Sequence, residues 1–182
     1  DKNNERLAFD ICACNIVLNQ LVSDERGIAY DNDGEIARTG KLNKDLLSAL
    51  NEISYYIQLF PKSLGREDIE RDVFPLLEKF KISLEDKLHT FCKHIAIQIS
   101  SVLEKDVTDA RMLITGGGTL NQFLLECIED KCNLKIVVPQ KEIIDFKEAI
   151  IFAFLGVLRM RNEVNCLKSV TGAREDSSGG DV

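Results

Sequence analysis

At 182 residues the chain is long enough for one domain with a substantial core. Its 45% hydrophobic and 29% charged content is that of a soluble globular protein. The net charge of -7 argues against a nucleic-acid backbone or an anionic membrane as main partner, and leaves room for a local basic pocket taking a phosphorylated ligand.

No apolar run reaches the roughly 20 residues of a membrane span. The start, DKNNERLAF, lacks the apolar core of a signal peptide, so no leader is expected there. The six cysteines sit inside apolar helix and strand patterns, which reads as reduced thiols in a cytoplasmic protein.

In chain order, RLAFDI (6–11) reads as a short buried strand, and ACNIVLNQLV (13–22) as a helix directly after it. GIAYDNDGEIARTGK (27–41) carries the turn signal Asn32-Asp33-Gly34. A helix is predicted over NKDLLSALNEISYYIQLF (43–60), capped by Asn43 and stopped by Pro61. PKSLGRED (61–68) reads as a loop around Gly65. Ser83 then opens the clearest helix, because Leu84, Leu88, Phe91, Ile95, Ile99 and Val102 recur at helical spacing on one face. Ser83 and Asp86 resemble a capping box.

ARMLIT (110–115) is predicted as a strand, GGG (116–118) as a sharp turn, TLNQFLLECIEDKC (119–132) as a helix and LKIVVP (134–139) as a second strand. Together they form a parallel βαβ crossover. DFKEAIIFAFLGVLRMRN (145–162) reads as a buried apolar helix, and REDSSGGDV (174–182) as a loose end. The class is therefore α/β, and no composition shift marks an internal domain boundary.

Three places carry candidate chemistry. The three glycines let a ligand approach the backbone, and the following helix start offers free N–H groups. The residues alone leave nucleotide contact and a plain turn both open, since GGG matches neither G-x-G-x-x-G nor GK[ST]. Asp10 lies where α/β sheets present ligand sites. It suits a general base, a water-mediated Mg2+ ligand, or simply a helix cap. The loop PKSLGRED could grip a polar ligand through Arg66, or be a solvated turn.

Elsewhere the bland readings prevail. His89 and His94, at i and i+5, and the pairs Cys12/Cys14 and Cys127/Cys132 lack metal-ligand spacing. Asp31 and Asp33 match a calcium loop at too few positions. Glu148 reads as an acid opening the last long helix, favoured by its dipole.

Five ordered segments then define a resemblance: AFDICACN (8–15), PKSLGRE (61–67), LITGGGTLN (113–121), EAIIFAFLG (148–156) and SVTGA (169–173). They closely resemble the C-terminal half of the anhydro-N-acetylmuramic acid kinase family, of the actin-like, sugar kinase and Hsp70 superfamily. The resemblance implies a ribonuclease H-like (actin-like ATPase) lobe over 1–173, with a mixed sheet flanked by helices, and a flexible tail over 174–182. It implies ATP and Mg2+ as cofactors, hydrolytic opening of 1,6-anhydro-N-acetylmuramic acid with 6-phosphorylation, and a role in cell-wall recycling. By the same resemblance Asp10 is the general base. Asn15, Gly116, Gly117, Gly118 and Asn121 contact the nucleotide, and Arg66, Glu67 and Glu148 lie on the sugar side. A missing N-terminal lobe and a possible homodimer are the implied partners, and the chain alone is expected to be inactive. The sequence departs from the family motif F-D-T-G-P-G-N at Ile11, Cys12, Ala13 and Cys14. The alternatives are a non-catalytic actin-like nucleotide-binding module and another sugar or acetate kinase of the superfamily.

Overall fold

The computed structural model describes residues 6–59, 62–103 and 111–181. It divides into two compact units. The larger holds Ile11–Gln58 and Leu64–Pro139; the smaller holds the residues up to Asp10, Leu59–Ser63 and Gln140 onward. The chain passes back and forth between them, which is why no shift in composition marks either.

In the larger unit, Asn15–Arg26 forms helix α1, Glu35–Thr39 α2 and Lys44–Asn51 α3. The Asn43 side chain accepts from Leu46 N–H at 2.8 Å, the expected cap. The helix expected to run to 60 stops at Asn51, with Ile53 extended and only a 3-10 turn over Ser54–Ile57. Its last side chain is drawn inward, where Asn51 Oδ1 meets His94 Nδ1 and accepts from Gln98 Nε2, both at 2.8 Å. Pro61, the expected stop, lies outside the described residues.

A single helical stretch follows as α4 (Arg66–Asp68), a π turn (Ile69–Val73) and α5 (Phe74–Lys79). Pro75 has no N–H to give the Arg71 carbonyl, and the chain widens there instead of breaking. Helix α6 runs over Leu84–Ser101, as its periodicity predicts. Ser83 accepts from Asp86 N–H at 3.2 Å. Asp86 does not return the bond; its carboxylate instead takes Lys41 N–H at 2.7 Å.

Strand β1 (Arg111–Leu113) pairs in parallel with β2 (Lys135–Val137), joined through α7 (Gln122–Cys132). The βαβ crossover is thus present. The core of this unit gathers Val17, Leu46, Leu50, Leu88, Phe91 and Ile95, each at most 1% exposed, around α6.

Two expectations change here. Residues 6–10 form no strand, because Asp10 N–H donates to Lys62 O at 3.2 Å and no ladder partner lies alongside among the described residues. The expected mixed sheet is, among those residues, a two-stranded parallel one, so the fold is α/β but mostly helical.

The smaller unit is built on α8 (Lys141–Met160), with α9 (Lys168–Thr171) after it. Helix α8 starts earlier than expected, after Pro139, so Glu148 lies in its middle rather than its first turn and the dipole argument does not apply to it. The expectation of burial also fails, since none of its residues is buried. Phe146 is 62% exposed, Ile150 52%, Phe152 71% and Phe154 58%. These side chains point around much of the helix circumference, and a helix apolar on so many sides needs cover on more than one. No helix among the described residues is long and apolar enough to cross a membrane. The expected loose end includes a tied stretch: Cys166 and Ser177 form an antiparallel bridge, and Lys168 N–H donates to Asp176 Oδ1 at 2.7 Å.

Candidate functional site

In the smaller unit Asp10 is exposed and anchored twice. Its N–H donates to Lys62 O at 3.2 Å, and Ser63 Oγ donates to its carboxylate at 3.0 Å. The loop that the sequence placed near the sugar therefore orients the carboxylate. A carboxylate so held, on an exposed residue, can accept a proton from a nearby hydroxyl or water.

In the larger unit β1 runs into the glycine turn. Gly116 has φ 89°, a backbone that favours glycine, and Gly117–Leu120 close a 3-10 turn before α7. A side chain on Gly117 would put its Cβ 3.1 Å from Asn15 Nδ2, and one on Gly118 would lie 3.7 Å from Asn15 Oδ1. The structure thus brings Asn15, Gly117 and Gly118 together. Asn121 is buried, and its Oδ1 accepts from Leu124 N–H at 2.9 Å, capping α7. Its oxygen is thereby tied to the helix start.

A pocket of about 140 Å³ opens here, lined in part by Asn15, Asn19, Tyr30, Asp31, Gly117 and Asn121. The Asp31 carboxylate accepts from Ile36 N–H and Ala37 N–H, each at 2.9 Å, and so caps α2. Gly34, with φ 71°, packs so close to this wall that a Cβ would lie 2.6 Å from Phe123 Cβ. The turn Tyr30–Gly34 therefore braces the start of α7.

These residues fit a nucleotide group on two observations. Gly117 leaves a cradle that a Cβ would narrow, and Thr115 Oγ1, just before the glycines, is buried with no hydrogen-bond partner among the described residues. A Mg2+ ion would arrive on the triphosphate, since Mg2+ keeps most of its waters. Among the described residues no three acidic, His or Cys side chains converge to cage it.

Cys14, next to Asn15, is a poorly ionising thiol. Burial pushes Cys14 up to about 11, and its Sγ donates to Asn15 Oδ1 at 3.6 Å. Its sulfur would touch a Cβ on Gly118 at 4.0 Å. The thiol therefore fills space beside the glycine turn.

Arg66 and Glu67 lie at the start of α4, apart from the Gly117 pocket. Arg66 pairs with Glu70 at 2.8 Å and lines a different cleft of about 350 Å³ with Asp24 and Lys87. Glu148 is exposed on α8. Sequence reasoning missed Asn19 and Tyr30. The spacing of Asn15, Leu18 and Asn19 (i, i+3, i+4) on α1 held the available signal for Asn19.

A parallel βαβ crossover with a glycine turn opening toward a helix start is the layout of a ligand-binding α/β protein. The family model described as anhydro-N-acetylmuramic acid kinase matches residues 1–182, and the chain belongs to that family. It is 33% identical over 183 residues to the anhydro-N-acetylmuramic acid kinase of Sulfurovum sp. (strain NBC37-1), covering 97% of this chain and 49% of that protein. It is 31% identical to that of Saccharophagus degradans, covering 96% and 49%, and 29% identical to that of Haemophilus influenzae, covering 99% and 52%. The chain spans about half the length of the curated relatives it matches.

Proposed function

We propose that this chain is the C-terminal, ribonuclease H-like lobe of a cytoplasmic ATP-dependent kinase acting on 1,6-anhydro-N-acetylmuramic acid in cell-wall recycling. Asp10 takes a proton from water as it adds to the anomeric carbon. The bond from that carbon to the bridging oxygen breaks, and the freed 6-oxygen attacks the γ-phosphorus of MgATP, releasing ADP. The observation that carries the reading is the family match over 1–182, joined to a carboxylate held by Lys62 and Ser63.

Gly116–Gly118 with Asn15 would receive the nucleotide, and Arg66, Glu67 and Glu148 the sugar side. The half-length cover of the relatives fits a reaction that needs a second lobe to hold both substrates in line. Helix α8 supports this, because its apolar sides are what an interface looks like before its partner is in place. A non-catalytic nucleotide-binding module is the second reading, favoured by the departure from the family motif at Cys12, Ala13 and Cys14.

The test is the full-length protein, this chain joined to the half its relatives also carry. Given MgATP and the anhydro sugar, it forms N-acetylmuramic acid 6-phosphate and ADP in equal amounts. ATP binding without any sugar phosphate would instead support the module.

A further inference from the structure

The cleft of about 350 Å³ in the larger unit, lined from α1, α5 and α6, shares no lining residue with the Gly117 pocket. Its volume falls in the range of small-molecule sites. The floor is apolar: Leu21 and Leu77 are buried and Phe74 is half-buried. The π turn over Ile69–Val73 carries Glu70 into its wall, and such turns are frequent at functional sites.

The charged side chains around this floor differ in their commitments. Arg66 and Glu70 pair with one another at 2.8 Å. Gln20 Nε2 donates to one Asp24 oxygen at 2.7 Å, which leaves the second oxygen available. Glu78, exposed at the cleft, makes no side-chain hydrogen bond or ion pair among the described residues. Lys87 stands out most. Its side chain is only 13% exposed, yet among the described residues Nζ meets no acceptor within hydrogen-bond distance; the Glu25 carboxylate stands off at 3.8 Å. A largely buried ammonium with three donors unspent is costly until acceptors reach it.

An uncommitted cation, two available carboxylates and an apolar floor together match a ligand with one negative group, one positive group and an apolar body. A fatty acid lacks the positive group. A phosphate would meet three carboxylates, Asp24, Glu70 and Glu78, against two cations. We propose that this cleft binds a free apolar α-amino acid as its zwitterion. Lys87 takes the carboxylate, Asp24 and Glu78 take the ammonium, and Leu21, Phe74 and Leu77 cover the side chain. None of the three charged side chains belongs to the proposed nucleotide or sugar contacts, so the site is independent of the kinase reading.

The experiment is calorimetric titration of the full-length protein with leucine, phenylalanine and two leucine analogues. Isocaproic acid lacks the amino group, and isoamylamine lacks the carboxylate. Leucine and phenylalanine bind, and each analogue binds at least about tenfold more weakly than leucine. Lys87→Met keeps the apolar stem; it weakens leucine about tenfold or more and leaves isoamylamine unchanged. Glu78→Gln weakens leucine about two- to fivefold, Asp24 still holding the ammonium, and leaves isocaproic acid unchanged. Both variants are checked for unchanged thermal unfolding, and if Lys87→Met does not fold, Glu78→Gln decides alone. The proposal falls if leucine and phenylalanine bind no tighter than about 10 mM, if isocaproic acid binds as well as leucine, or if either folded variant binds leucine like the parent. None of these results bears on the kinase reading.

Discussion

His94 offers the sharpest quantitative check on the larger unit. The residue is fully buried on α6, its Nδ1 beside Asn51 Oδ1 at 2.8 Å and its ring edge-on to Tyr56 at 4.9 Å. Its Nε2 is buried with no partner among the described residues. Burial disfavours the cation and lowers the folded-state pKa from 6.5 to about 4. The unfolded chain therefore binds the proton first as pH falls. The stability tied to the neutral ring is complete above about pH 6.5, drains away between about 6.5 and 4, and changes no further below. At roughly 1.36 kcal/mol per pKa unit, the whole window is worth about 3 kcal/mol. Urea unfolding would be followed by tyrosine fluorescence at several pH values, for the parent and for His94→Gln. The exposed carboxylates titrate alike in both, so their difference isolates the histidine. The parent should lose up to about 1.4 kcal/mol per pH unit more than the variant inside that window. Parallel pH profiles, or a His94 NMR titration near 6.5, would refute the burial argument.

Other consequences are equally direct. With Cys14 pushed up to about 11 from 9.0, its thiolate population at pH 8 falls about 100-fold, so iodoacetamide should modify it far more slowly than an ordinary thiol, as read by peptide mass spectrometry. Gly34→Ala places a Cβ against Phe123 at a positive φ and should cost roughly 2 kcal/mol or more, seen as a lowered Tm of the larger unit. Phe146→Glu with Phe154→Glu on α8 should reduce self-association of the isolated chain in light scattering, because both side chains are more than half exposed. On the proposed two-lobe reading, the same pair should lower the Tm of the full-length protein.

The parts of the fold legible in the sequence were those governed by local rules. Ser83 and the run from Leu84 to Ile95 carry both the cap and the period of α6, and the glycine turn between two short apolar runs marked the βαβ unit. What stayed hidden depends on distant partners. The apolarity of α8 reads as burial, whereas its large apolar side chains stand exposed among the described residues. Asp31 reads as one more turn aspartate until its two bonds to Ile36 and Ala37 are seen. Tyr30 joins Leu120 at one pocket only because ninety residues of intervening chain fold back. In the candidate site, Asp10 and the glycines were visible as motifs. The part played by Ser63 and Lys62 in holding Asp10 was not, since it needs a loop more than fifty residues away.

The central claim, that Asp10 is the base of an anhydro-sugar kinase, is tested most directly by one number. It is the turnover of full-length Asp10→Asn relative to the parent, at saturating MgATP and 1,6-anhydro-N-acetylmuramic acid. Asparagine keeps the shape and can still accept from Ser63, yet cannot take a proton. The account predicts a fall of about 100- to 10,000-fold in kcat with ATP affinity unchanged. Undiminished turnover in the variant would contradict it.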